Sequence, residues 1–255
     1  MNNFAIIGNP ISHTLSPKIF KLIFDQFQIN ATYNAISINN NNALIDFINN
    51  KQSLLGFNVT LPYKEIICKY VDELDEISSL INSVNCVKRI DNKLIGCNTD
   101  YLGFNQSLDL SNINFNDVDI LILGNGGVAR TISYLMLQKY KKDIFIWGRD
   151  IIKTEQLINT LNSTRLKKYS NIKNKQWIII NCLSLNIEKN DINYIIDFIP
   201  LNDIKTFIDV NYLETKLTTI IKKNKCEVIM GQDMLIFQAL ESFNIWFDYK
   251  FDTKS

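Results

Sequence analysis

The chain has 255 residues, 27 basic against 26 acidic, a formal net charge of +1 and no basic block. That balance argues against a nucleic acid or an anionic membrane surface as partner, both of which select concentrated positive charge. The length suits one large domain or two modest ones with ample core.

No apolar run is long enough to span a bilayer. The opening stretch Met1 to Gly8 is too short and lacks the basic segment of a signal peptide. No membrane partner is expected, and a cytoplasmic location is the default. Five scattered cysteines, never in a CxxC pattern, accompany a single histidine. A Cys/His zinc site is therefore not expected, and the cysteines read as reduced thiols.

The predicted elements alternate strand and helix over the first hundred residues. Phe4 to Gly8 reads as a short buried strand. Ser16-Pro17 then opens a helix, with Ser16 as N-cap and Pro17 at the first helical position. Ile19, Phe20, Ile23, Phe24 and Phe27 give that helix one apolar face. A strand over Tyr33 to Ile38 and a helix over Asn42 to Asn50 follow. Gly56 to Leu61 is another strand, and Lys64 to Tyr70 starts helically. Val84 to Ile90 and Lys93 to Cys97 form a hairpin around Asp91-Asn92.

A helix from about Asp100 to Leu108 leads to the apolar strand Asp119 to Leu123. Thr131 to Lys139 is the helix behind it. Ile144 to Trp147, Trp177 to Asn181 and Tyr194 to Phe198 read as further apolar strands at helix-sized intervals, the rhythm of a parallel sheet with crossover helices. Met234, Leu235, Phe237, Leu240 and Phe243 mark a last helix that packs back on the first domain.

Three motifs carry chemistry. Gly56 to Glu65 ends in Lys64, and Gly96-Cys97-Asn98-Thr99-Asp100 brings a carboxylate beside amides and hydroxyls. Reducing a ketone needs a hydride at carbon and a proton at oxygen, and a Lys/Asp pair can manage the proton. The hydride donor has a place downstream. Gly124-Asn125-Gly126-Gly127-Val128-Ala129 fits G-x-G-x-x-A, following a strand and opening a helix. Gly124 permits the turn, Gly126 lets backbone approach a pyrophosphate, and Ala129 allows close helix–strand packing. The next strand ends in Gly148-Arg149-Asp150. Arg149, helped by Lys153, suits a ribose 2′-phosphate, whereas Asp150 suits a free 2′-hydroxyl. NADP is favoured over NAD.

With these segments in order, the chain resembles the shikimate dehydrogenases, enzymes of aromatic amino acid biosynthesis that reduce 3-dehydroshikimate with NADPH. The resemblance rests on Gly8 to Pro17, Asn58 to Lys64, Ser83-Val84-Asn85, Asn98-Thr99-Asp100, Gly124 to Ala129, and Gly231 to Gln238. It implies an N-terminal α/β substrate domain (1–100, completed by C-terminal helices at 232–255). A Rossmann-like doubly wound parallel-sheet domain (101–231) would bind NADP, with the active site in the cleft between the two.

The resemblance also implies residue roles. Thr14 and Ser16 would hold the substrate carboxylate. Asn58, Thr60, Asn85, Asp100 and Gln238 would read ring hydroxyls. Lys64 would be the general acid, oriented by Asp100. Glu76, Cys182, Leu183, Phe198 and Gly231 would lie near the dinucleotide with the Gly124 turn, and Phe198 would take the place of a methionine against the nicotinamide. His13 takes a structural place beside the pocket rather than a catalytic one.

The pattern is broken at Tyr101, where a glycine is usual, and at Gly148 and Asp150, which replace Asn and Thr beside Arg149. It is broken again at Asn181-Cys182-Leu183-Ser184, at Pro200 in place of a substrate-touching tyrosine, and at Asp233. These departures keep two rivals open. One is an NAD-linked quinate/shikimate dehydrogenase; the other is a non-catalytic shikimate-binding relative. Monomer and homodimer are both compatible with the sequence.

Overall fold

A computed structural model describes residues 1–50, 53–170, 175–184, 189–224 and 226–249. The chain divides into two compact units, one of Met1–Gly103 with the segment from Ile236 onward, the other of Phe104–Leu235.

The first unit begins with β1 (Asn2–Gly8), α1 (Ser16–Gln26), β2 (Ala31–Ser37), α2 (Asn41–Asn50) and β3 (Leu54–Val59). The short β4 (Glu73–Leu74), α3 (Glu76–Ile81), β5 (Cys86–Ile90) and β6 (Lys93–Cys97) follow. Their sheet has the order β2-β1-β3-β5-β6-β4. β1 pairs in parallel with both β2 and β3, while β5 runs antiparallel to β3 and β6. Asp91 and Asn92 turn the β5–β6 hairpin with φ of 46° and 68°. Two left-handed residues are what a two-residue hairpin loop demands, and Asp and Asn tolerate that conformation best.

Successive residues of β1 feed opposite faces of the sheet. Ala5 and Ile7 join Leu44, Phe47 and Phe57 in one core cluster. Phe4 and Ile6 join Phe20, Phe24, Tyr33, Phe243 and Trp246 in another. That is why β1 reads as a continuous apolar run: both of its faces are covered.

The second unit takes over along α4 (Thr99–Ser111) and continues with β7 (Asp119–Leu123), α5 (Gly127–Lys139), β8 (Ile144–Trp147), α6 (Ile151–Leu161) and β9 (Leu166–Lys168). Next come β10 (Trp177–Asn181), α7 (Lys189–Phe198), β11 (Ile204–Asp209), α8 (Lys216–Lys222) and β12 (Glu227–Met230). The last helix, α9 (Gln232–Phe247), carries the chain back to the first unit, where Ala239, Phe243 and Trp246 enter the cluster around Phe4. Residues 250–255, at the end of the segment expected to complete that unit, lie outside the described residues.

The second sheet has the order β12-β11-β10-β7-β8-β9 and every pair in it is parallel. The chain starts in the middle at β7, moves out to β9, and returns to place β10 on the other side of β7. This is the Rossmann order, with its switch point beyond the carboxyl ends of β7 and β10.

Three local expectations are corrected. Tyr194 to Phe198 is not a strand but the end of helix α7. Ile192, Ile195 and Ile199 are buried at helical spacing, while Tyr194 is 58 % exposed. A five-residue apolar run is too short to separate the two periods, and the strand is β11 instead. Ser16 is not an N-cap: that position falls to Leu15, which makes no side-chain cap bond, and the Ser16 N–H donates to Thr14 Oγ1 at 3.3 Å. Lys64 to Tyr70 forms turns and a single 3₁₀ segment, Ile67–Lys69, rather than a helix.

Gly56 lies where β3 passes beneath Trp246, whose indole donates to the Val87 carbonyl at 3.0 Å. A Cβ at Gly56 would stand only 2.5 Å from Trp246 Cδ1 and 2.8 Å from Cε2. The Gly56→Ala substitution is expected to destabilise the fold by roughly 1–3 kcal/mol through overpacking, read as a lowered urea midpoint.

Candidate active site

Lys64 and Asp100 meet. Lys64 Nζ donates to Asp100 Oδ2 at 2.6 Å, and both side chains are buried. Lys64 stands in the turn after β3, and Asp100 in the first turn of α4, where the helix dipole favours a carboxylate. The other oxygen of Asp100 accepts from Asn85 Nδ2 at 2.9 Å. Asn85 Oδ1 in turn accepts from the Thr99 backbone N–H at 2.6 Å.

The network extends further than the sequence motifs. Asn58 Nδ2 donates to the Asn85 carbonyl at 3.1 Å and to Ser242 Oγ at 2.9 Å, while Asn58 Oδ1 accepts from the Tyr33 hydroxyl at 2.7 Å. Ser242 Oγ lies 3.2 Å from Thr99 Oγ1 and donates to the Gln238 carbonyl at 2.9 Å. Asn58, expected as a substrate contact, therefore has both amide hydrogens committed inside the protein and acts on Asn85.

Tyr33, Thr99 and Ser242 were missed as members of the site. The signal for Ser242 was its place on the stripe Ala239, Ser242, Phe243 and Trp246, a buried polar residue on an otherwise apolar helix face. Burial holds the Tyr33 hydroxyl protonated well above its ordinary range, while the Ser16 hydroxyl beside it pulls weakly the other way.

Without a capping duty, the Ser16 hydroxyl accepts from Thr14 Oγ1 at 3.1 Å. Thr60 closes the turn leading to Lys64, its carbonyl accepting from Tyr63 N at 3.0 Å. Asn98 caps α4: its Oδ1 accepts from Tyr101 N at 3.1 Å, and its Nδ2 donates to the Ser83 carbonyl at 2.8 Å. Tyr101 thus sits in an ordinary helical turn that needs no glycine. His13 is exposed on the loop before α1.

Cys86 and Cys97 face each other across β5 and β6. Burial pushes the Cys86 thiol well above its usual range, and burial with Asp75 nearby pushes Cys97 up to about 12. Both are unreactive thiols. Among the described residues no cluster of His, Cys, Asp or Glu has the makings of a metal site, and no helix is long and apolar enough to cross a membrane.

In the second unit, Gly124 ends β7 with φ of 115°, a conformation other residues rarely adopt. Gly126 is the extended N-cap of α5, and a Cβ there would meet nothing within 4 Å. Gly127 and Val128 begin the helix and Ala129 is fully buried. The open face at Gly126 and the unpaired first-turn N–H groups of α5 form the cradle that a pyrophosphate requires. This fits a dinucleotide.

Arg149 is exposed at the turn after β8, and Lys153 lies on the first turn of α6. Asp150 is the N-cap of α6, its Oδ1 accepting from Lys153 N at 3.0 Å. Glu76 opens α3 in the first unit and is exposed. Phe198 packs against the rings of Trp147, Tyr169 and Tyr194. Phe198 thus sits at the end of helix α7, and Pro200 follows it at the start of the turn to β11.

The ends of β10 and β11 are joined by a buried carboxylate the sequence did not reveal. Asp209 Oδ1 accepts from Asn181 Nδ2 at 3.1 Å, Asn211 N at 3.0 Å and Asn211 Nδ2 at 2.8 Å. Its Oδ2 accepts from Thr218 Oγ1 at 2.5 Å. Asn211 passes the restraint on, donating to the Leu183 carbonyl and accepting from Gly231 N, both at 3.0 Å. At Gly231 a Cβ would stand 2.5 Å from the Val210 carbonyl carbon, so only glycine fits.

Known proteins match the chain over nearly its whole length. The family described as "Shikimate dehydrogenase substrate binding domain" matches residues 6–87. The shikimate dehydrogenase (NADP(+)) of Caldicellulosiruptor bescii is 32% identical over 97% of this chain and 90% of its own length. The chain belongs to the shikimate dehydrogenase family. The enzyme of the same name from Pelagibacter ubique is 34% identical over 95% of this chain and 92% of its own. In structure, the shikimate dehydrogenase of Aquifex aeolicus superposes with a TM-score of 0.83 at 29% identity, covering 98% of this chain and 94% of its own. Both halves of the family's plan are therefore present.

Burial raises the Asp209 carboxyl above its ordinary 3.8, against the hydrogen bonds that lower it. A folded value above the unfolded one means the native state holds that proton more tightly. The contribution is present below 3.8 and lost as pH rises through the folded value. The stability of the wild type relative to an Asp209→Asn variant is expected to fall as pH is raised above 3.8, in urea unfolding at a series of pH values. A flat difference would show that Asp209 titrates as an ordinary carboxyl.

Proposed function

We propose that this protein reduces 3-dehydroshikimate to shikimate with NADPH, reversibly and without a metal, Lys64 and Asp100 handling the proton. The observation that carries the reading is the buried Lys64–Asp100 pair at 2.6 Å, fixed from behind by Asn85. When bound, NADPH supplies hydride to the carbonyl carbon of the substrate.

The oxygen left with negative charge then needs a proton, and the Lys64 ammonium donates it. In the reverse direction the Lys64 amine takes the hydroxyl proton. Asp100 stays ionised, keeps Lys64 aimed, and offers an acceptor to the neighbouring hydroxyl of the ring. Asn85 supports the aim of Asp100, its amide donating to Asp100 Oδ1 and to Thr99 Oγ1, both at 2.9 Å. Thr14 and Ser16, with the N-terminus of α1, receive the substrate carboxylate. Thr60 and Gln238 read the remaining hydroxyls, since each polar partner left unmatched in a closed site costs roughly 1–3 kcal/mol.

On the cofactor side, the Gly124–Ala129 turn cradles the pyrophosphate, and Arg149 with Lys153 takes the ribose 2′-phosphate. Glu76 and Gly231 complete the surroundings of the dinucleotide. The relatives from Caldicellulosiruptor bescii and Pelagibacter ubique carry NADP in their names, and Asp150 here is engaged as a helix cap. That engagement removes the main motive for an NAD-linked enzyme.

In an assay of absorbance at the NADPH band, 3-dehydroshikimate is expected to be consumed with NADPH and far more slowly with NADH. Absence of turnover with either cofactor, in folded protein, would leave a binding protein instead. The Lys64→Ala variant is expected to lose roughly 10²–10⁴-fold in kcat, the usual contribution of a general acid. Its shikimate affinity, measured by calorimetry, should change far less. Turnover close to wild type would sink the assignment of Lys64.

A further inference from the structure

The turn that holds Arg149 is shaped by a residue from the other end of the cofactor site. Asn125, in the pyrophosphate turn, donates through Nδ2 to the Asp150 carbonyl at 2.8 Å and to Thr154 Oγ1 at 3.1 Å. Thr154 Oγ1 donates to the same carbonyl at 2.8 Å. The Asn125 amide crosses directly over Gly148. A Cβ at that position would stand 2.7 Å from Asn125 Cγ and 2.7 Å from Thr154 Oγ1, closer than real Cβ atoms come. The asparagine at 125 and the glycine at 148 are a matched pair.

Both amide hydrogens of Asn125 are thereby used, one on the loop between β8 and α6 and one on the first turn of α6. Together with the Asp150 cap on Lys153 N, they hold both the carbonyl and the carboxylate of Asp150, the residue that follows Arg149. The resemblance calls for an asparagine at position 148. The structure supplies an amide over that position from 125 instead.

We propose that Asn125 is a positioning residue for the 2′-phosphate, latching the Gly148-Arg149-Asp150 loop into the shape in which Arg149 and Lys153 receive the anion. The proposal rests on the NADP reading of this site and assigns Asn125 to specificity rather than to the pyrophosphate it neighbours in sequence. A guanidinium grips a phosphate through a planar fork, so the loop must be held for the fork to be aimed.

The test is calorimetric binding of adenosine 2′,5′-bisphosphate and of adenosine 5′-monophosphate to the full chain, which needs no turnover. The wild type should prefer the bisphosphate, and Arg149→Ala should abolish that preference. In Asn125→Ala the bisphosphate should weaken by about tenfold, the scale of two lost hydrogen bonds, with the monophosphate changed less than about twofold. Gly148→Ala should do the same by driving the amide off the loop. The double variant should be no worse than either single one, because both break one latch. Thermal melting checks that each variant is folded.

Equal loss of both ligands in Asn125→Ala, no loss of either, or effects that multiply in the double variant would overturn the latch while leaving the NADP reading in place. A wild type that does not prefer the bisphosphate would overturn the NADP reading, and the inference with it.

Discussion

A lysine and an aspartate cannot be held together away from water unless something else satisfies the carboxylate. In this protein that something is Asn85. Its amide donates to the free oxygen of Asp100 at 2.9 Å, its own oxygen accepts from Thr99 N, and its backbone carbonyl accepts from Asn58. Buried ion pairs are poor sources of stability, since desolvation offsets the attraction and an orphaned partner costs roughly 3–5 kcal/mol. What the pair provides is direction. Asn85 ties the direction of the Lys64 ammonium to α4 and β3, and through Asn58 to α9.

The two units solve the same problem with the same device. In each, the turns that follow parallel strands have their polar groups braced by side-chain hydrogen bonds. Asn58 and Ser242 do this for the Lys64–Asp100 pair, Asp209 for the turns after β10 and β11, and Asn125 for the turn after β8. Strands alone fix where a turn begins. The bracing side chains fix where it points, and they are selected for hydrogen-bonding geometry rather than for reactivity.

Much of this was legible in the sequence, for reasons that differ by residue. The strand before Gly124 and the Asp91-Asn92 hairpin were readable because their chemistry is local: a run of buried aliphatics, two residues suited to left-handed φ. Lys64 and Asp100 were readable because their flanking motifs are dense. The helix over Tyr194 to Phe198 was misread because five apolar residues fit either period, and only the burial of Ile192 and Ile199 beyond them decides. The brace residues were illegible for another reason. Asn125, Asp209 and Ser242 act on partners between 25 and 184 positions away or sit in networks that span such distances, and nothing in the neighbouring sequence announces a partner.

The route of the chain through its two units bears on how the protein is made. The first unit is begun by residues 1–103 and finished only by the segment from Ile236 onward. A ribosome delivers the whole second unit before it delivers Trp246, which covers Gly56, or Ser242, which satisfies Asn58. Domains tend to fold as they emerge, N-terminal parts first. Here the earlier unit has to wait, with the face of Phe4 and Phe20 uncovered, while the later one completes its own core. The order of birth and the order of completion are reversed, and the apolar face left waiting is where a chaperone would have work to do.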